Sequence, residues 1–122
     1  MAGFNDTALN LAVNAIAGAG TYISAHTADP GTTGTSEVTG GSPAYARKQT
    51  TWAAAGSGAT GGDRAGSQVS IDIPAGTTVT HWGIWSAVTS GTFYGGFALG
   101  ASEVFGAQGV LQHTPTLDVD QG

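Results

Sequence analysis

Cysteine is absent from the 122 residues, which removes disulfides, thiolate nucleophiles and zinc-cysteine sites and leaves the redox compartment open. Charge is scarce. Charged residues make up 9% of the chain, against roughly a quarter in an average globular protein. Three are Lys or Arg and eight Asp or Glu, a formal net charge of -5. Phosphate binding draws on several clustered cations, so no nucleic-acid partner is expected. There is no long apolar run either. The opening MAGFNDTALNLAVNAIAGAG spaces its apolar residues and has no basic leader, so neither a signal peptide nor a membrane-spanning helix is expected, and no membrane partner.

Glycine is abundant, 21 of 122 residues, and with so few charges the surface must be clothed in Thr, Ser, Gly and Ala. Such surfaces are common in assembled, extracellular and virion proteins, where packing against neighbours replaces charge repulsion. The length suits a single domain over 1–122, able to bury about two-thirds of its unfolded surface unaided.

Leu9, Ala12, Val13 and Ile16 recur at helical spacing, with Asn5, Asp6 or Thr7 as N-cap and Gly18 or Gly20 as stop, which predicts one short amphipathic helix over about 5–18. Its stripe of small residues should lie close on a sheet or on a partner chain. The period then changes to two. GTYISAHT (20–27), YARKQTTWAA (45–54), SQVSIDI (67–73), TVTHWGIWS (78–86), GTFYGGFALG (91–100) and TPTLDVD (114–120) read as strands, divided by Gly, Pro and Asp turn signals. Roughly six short strands predict a mainly β chain, an antiparallel sandwich of jelly-roll-like type with one N-terminal helix. Two long loops remain, 27–43 and 54–66.

Chemistry-bearing constellations are thin. His26, His81 and His113 coexist with many serines and eight acids, yet no G-x-S-x-G elbow or fixed spacing joins a base to a nucleophile, so no enzyme is expected. Asp118 and Asp120 alternate on one face of the last strand and could join a calcium site, but no calcium-loop pattern surrounds them, and no metal or cofactor is assigned. Glycine-rich stretches lack a phosphate-binding pattern. Trp82, Trp85, Phe93, Tyr94 and Phe97 cluster on two neighbouring strands. Alternation points Trp82 and Trp85 to opposite faces, which predicts one indole in the core and the other on a partner subunit or sugar, unless two layers each cover a face.

The run H-T-A-D-P-G-x-x-G-x-x-E-V from His26 to Val38, then Gly-Gly-Ser and Tyr45-Ala46-Arg47, resembles a family of small bacteriophage virion structural proteins, tail-fibre-like or head-decoration-like. T-V-T-H-W-G-I-W-S, Thr78 to Ser86, is similar to a second pattern of the same family. The likeness spans roughly 5–100. Ala25 departs from it, standing where a larger apolar residue often precedes the histidine, and the segment after Gly100 lacks the family's regular closing strands. The resemblance implies that Arg47 reaches back to Asp29 or Glu37 in a bidentate pair that fixes the long loop over the sheet. It further implies a virion location and a homo-oligomer, most simply a trimer. The chain is short and has no long shaft or triple-helical repeat, so the head is preferred, where the protein would be a decoration or cement protein clamping the major capsid protein and stabilising the shell; the alternative is a tail fibre or minor tail protein contacting host carbohydrate. Candidate contact residues are Leu9, Val13 and Ile16 on the helix face and Trp82 and Trp85 on the aromatic face.

Overall fold

A computed structural model describes residues 3–53 and 62–119. Helix α1 runs Asp6–Ala19. The Asn5 side chain accepts a hydrogen bond from the Ala8 N–H, satisfying one of the donors that a helix start leaves over. The backbone N–H of Gly20 closes the other end on the Ile16 carbonyl. Leu9, Val13 and Ala17 form the buried stripe, with Ile16 half-buried beside it. Leu11 points outward.

Among the described residues eight strands follow: β1 Tyr22–His26, β2 Lys48–Gln49, β3 Asp63–Ala65, β4 Val69–Ile73, β5 Thr77–Trp85, β6 Phe93–Phe105, β7 Gly109–His113 and β8 Thr116–Asp118. All pairings are antiparallel, and three sheets result: β2-β1-β5-β6, β4-β7 and β3-β8. The register shows how the last six strands arise. Thr77 faces Phe105, Ile73 faces Gly109 and Val69 faces His113, so equal lengths of chain separate the pairs on both sides. One residue of slip brings in Ala65 opposite Thr116. Residues 63–118 are therefore one long antiparallel ribbon, folded back on itself at its interruptions, which is how a jelly-roll-like sandwich is wound. Its closing turn lies between β5 and β6.

Folding the ribbon buries one face. Val69, Ile71 and Ile73 of β4 and Leu111 of β7 meet Ile23, Ala25, Val79, Trp82 and Ile84 of the large sheet in a single cluster that also takes in Val13 and Ala17. Each such aliphatic side chain, fully buried, contributes about 1.5–3 kcal/mol. The helix packs on β3 and β8.

The architecture is mainly β and sandwich-like with one helix, as expected. Several segments differ from expectation. The strand expected over 45–54 is only Lys48–Gln49, with Trp52 bridging Gly66, because the residues before it turn their side chains into a polar cluster. Closing strands do exist after Gly100: β6 continues to Phe105, and β7 supplies a second. The later part of the glycine-rich loop contains β3, while 54–61 lies outside the described residues.

Candidate functional site

The second face of the large sheet is covered by residues 27–47, the segment expected to be a long loop. Ser24 and His26 of β1 point to this face, as do Trp85 of β5 and Phe93 of β6, whose rings pack 5.1 Å apart. The loop returns across them in stages. Thr27 N–H bonds Ser36 O, Val38 N–H bonds Ala25 O, and the N–H groups of Gly34 and Thr35 bond Pro30 O. Asp29 accepts from the Gly31 N–H at 2.9 Å, an Asx turn at the tip. Two glycines allow the close approach. Gly34 has φ +80°, and a Cβ there would lie 2.5 Å from the Trp85 ring; one on Gly96 would lie 2.1 Å from Pro30. At the far end, Gln108 holds both Ser42 N–H and Pro43 O.

Arg47 is the centre of the arrangement. Its Nε donates to Glu37 Oε2 at 2.8 Å and its Nη2 to Oε1 at 2.9 Å, a fork-on-fork pair. Nη1 donates to the carbonyls of Ala87 and Ser90 in the β5–β6 turn, at 2.9 and 2.8 Å. The guanidinium lies 3.6 Å over the Trp85 ring, and the side chain is 8% exposed. Tyr45 adds a hydroxyl bond to Glu37 Oε2 at 2.7 Å and accepts from the Ala25 N–H. Burial alone would raise the Glu37 carboxyl, but the hydrogen bonds from Arg47 and Tyr45 and the Arg47 charge outweigh it and hold the group below its ordinary value. Burial, then the bond to Glu37, pushes the Tyr45 hydroxyl well above the ordinary tyrosine range.

A second chain of bonds runs beneath. Thr35 O can only accept, so His26 Nδ1 carries the proton at 2.8 Å from it, and Nε2 accepts from the Ser24 hydroxyl at 2.7 Å. Ser24 in turn accepts from Trp85 Nε1 at 3.0 Å. Burial lowers the His26 pKa more than the Thr35 bond and Glu37 raise it, with Arg47 and His81 adding to the lowering, so the ring is held neutral. Ser24 and His26 thus have the contact of a nucleophile and base. Both are fully buried, however, and the ring's other nitrogen meets a carbonyl instead of a carboxylate. Their spacing of two on a strand was a legible sign that they share a face.

Chemically, the cluster joins β1, the loop and the β5–β6 turn by charge-assisted bonds. A shallow cleft of about 310 Å³ opens beside it, lined by Thr39, Gly40, Val88 and Thr89 as well as the cluster. The Arg47 donors that line this cleft already bond Glu37, Ala87 and Ser90. A second cleft of about 380 Å³ lies between the helix end and β2. Arg64 lines it and bonds Asn14 and the carbonyls of Trp52 and Ala53. Nothing in the sequence reading had singled out Arg64, since its partners lie 11 to 50 residues away.

Of the two acids offered for Arg47, the structure brings Glu37 to it and leaves Asp29 on the loop tip. The proposed contact faces require correction. Leu9, Val13, Trp82 and Trp85 are buried within the protomer, so these side chains present no free surface, and Ile16 is half-buried against the core. Both indoles are covered by the chain itself: Trp82 stacks on Phe97 and His113 on the core side, and Trp85 lies under Arg47 and the loop. The aromatic side chains that are half exposed are Tyr94 and Phe97. His81 bonds Thr80. Burial lowers the His113 pKa. Asp118 stands opposite Asp63, and Asp120 lies outside the described residues. Among those residues no group of three or more metal-binding side chains occurs, and no helix is long and apolar enough to cross a membrane.

Comparison with protein families matches residues 6–117 to the family described as podophage GP4 fiber I protein gp80. No individual protein of curated function matches the chain. The matched span includes the helix, the cover loop with its Glu37–Arg47 pair, and the folded ribbon up to Leu117, so the chain belongs to this podophage fiber I protein family and is a structural protein of a bacteriophage virion.

Proposed function

We propose that the chain is a subunit of a virion fibre, acting by attachment and contact and not by catalysis, and working as a homo-oligomer alongside other virion proteins. The family match over residues 6–117 carries this reading. The fold supports it. A component under mechanical load needs loops that do not open, and the long loop is closed on itself by the buried Glu37–Arg47 pair and tied to the β5–β6 turn by Arg47 and to β1 by Tyr45. Buried, fully bonded polar clusters of this kind favour a single conformation over near alternatives. No nucleic-acid role is assigned: Arg47 and Arg64 are engaged internally and Lys48 is the one remaining cation.

The short chain, without a long shaft or triple-helical repeat, favours a decoration protein on the head, and the fibre reading replaces that preference because the family description names a fibre. Immunogold labelling of intact virions with an antibody to this chain separates the two. Label on projecting appendages is the expected result; label scattered evenly over the shell would overturn the fibre assignment in favour of decoration.

A further inference from the structure

The outer part of the cover loop rests on one side chain of the sheet. Residues 28–35 are closed on themselves, since the N–H groups of Gly34 and Thr35 and the Thr35 hydroxyl all bond Pro30 O. Among the described residues, their one hydrogen bond from the sheet comes from His26 Nδ1, to Thr35 O. The rest of the contact is packing, Pro30 against Gly96 and Gly34 against the Trp85 and Phe93 rings. His26 is fully buried at the root of the loop, with Phe93 edge-on at 6.1 Å.

The hydrogen bonds around this ring run in one direction. Trp85 Nε1 can only donate, to Ser24 Oγ; Ser24 donates to His26 Nε2; His26 Nδ1 donates to Thr35 O, which can only accept. A second proton, on Nε2, has no place in that order. Nε2 would then donate to Ser24, which already accepts from Trp85, and the Ser24 hydrogen would lose its acceptor. The sheet side is closed to water, because even a Cβ on Gly83 would lie 2.7 Å from Ser24 Oγ and 3.0 Å from His26 Nε2. Nor is a free counter-ion at hand. The loop brings the Arg47 cation and Glu37, whose two oxygens are held by Arg47 and Tyr45. Strand β5 brings His81, opposite His26, and β6 brings only the Phe93 ring.

We propose that His26 is an acid-operated latch: a proton on Nε2 lifts residues 28–35 off the sheet and uncovers Trp85 and Phe93, while the core on the sheet's other face stays folded. The latch belongs to the fold and holds for a fibre or a shell protein alike. Lifting is the route by which the charged ring reaches water. Burial holds the closed ring below its ordinary 6.5, so below that pH the lifted form binds more protons than the closed one. Its population then rises by at most about tenfold per pH unit until the closed value is reached. Glu37, held below its ordinary 4.5, keeps its charge above pH 5, so its pair with Arg47 is intact in that window.

Hydrogen exchange of two indole N–H groups, read by NMR and referred to free indole at the same pH, tests the latch. That of Trp85 is bonded inside it, and that of Trp52 is bonded to Gly20 O in the core. From pH 6.5 to 5 the protection of Trp85 is expected to fall about tenfold while that of Trp52 holds. In His26→Gln the protection of Trp85 should no longer depend on pH, whereas His81→Gln and His113→Gln should respond as wild type. Equal loss at both indoles would mean global unfolding and overturn the latch. So would a Trp85 protection that ignores pH, or a response that survives in folded His26→Gln. Should that variant fail to fold, titration of the wild-type imidazole decides. A His26 midpoint coinciding with the loss at Trp85 supports the latch, and loss while His26 is still neutral overturns it.

Discussion

At the scale of residues, the energy of the cover loop is concentrated in Arg47. Removing one member of a buried pair leaves the other charge and its bonded carbonyls without partners, which typically costs about 3–5 kcal/mol. Arg47→Ala is therefore expected to lower unfolding free energy by about that much and to open the loop to protease, read by chemical denaturation and limited proteolysis. An unchanged melting temperature with an equally resistant loop would refute the role given to this residue. Acid should act on this cluster through His26 and Glu37, and on the core side of the sheet through His113. His26 and His113 both have folded pKa values lowered from about 6.5, so below pH 6.5 the unfolded chain binds more protons than the folded one. Their contribution is complete above that pH and is lost as pH falls towards the folded values. Glu37, lowered from 4.5, adds a further loss below pH 4.5 as pH falls through its folded value. Melting temperature is expected to be lower at pH 5 than at pH 7.5; an equal or higher value at pH 5 would contradict the neutral, buried His26.

Elements differ in how far the sequence discloses them. The helix was legible from its spacing and cap, and β4 from the clean alternation of Val69, Ile71 and Ile73. By contrast, β3 and β7 were not, because three residues between Gly62 and Gly66, or five from Gly109 to His113, carry no local pattern and owe their strand form to partners about fifty and forty residues away. The site was half legible. The family resemblance implied a pair of Arg47 with Asp29 or Glu37, but choosing between them depends on how the loop crosses the sheet. That two tryptophans face opposite ways could be read from alternation, and two layers each covering a face was one of the readings it left open; the structure selects that one. The loop's path is testable at Gly34. Gly34→Ala introduces both strain at φ +80° and overlap with the Trp85 ring, and overpacking alone costs about 1–3 kcal/mol. Gly31→Ala, also at positive φ but into open space, should cost about 1 kcal/mol. Equal losses in thermal denaturation would mean that the loop does not lie against the indole as described.

For the whole molecule, a long hairpin ribbon folded over itself makes one core, and a tied loop closes the other face. Most of the apolar surface is thus used within the protomer, and the aromatic strand β6 is left at the sheet's edge. This separation suits a virion part that folds first and assembles afterwards. Reconstruction of the intact virion by electron cryomicroscopy tests that account most directly. It predicts density for this fold within projecting fibres, with residues 27–47 closed over Trp85. Density for the fold lying flat on the head lattice, or a cover loop displaced to contact a neighbouring protein, would contradict it.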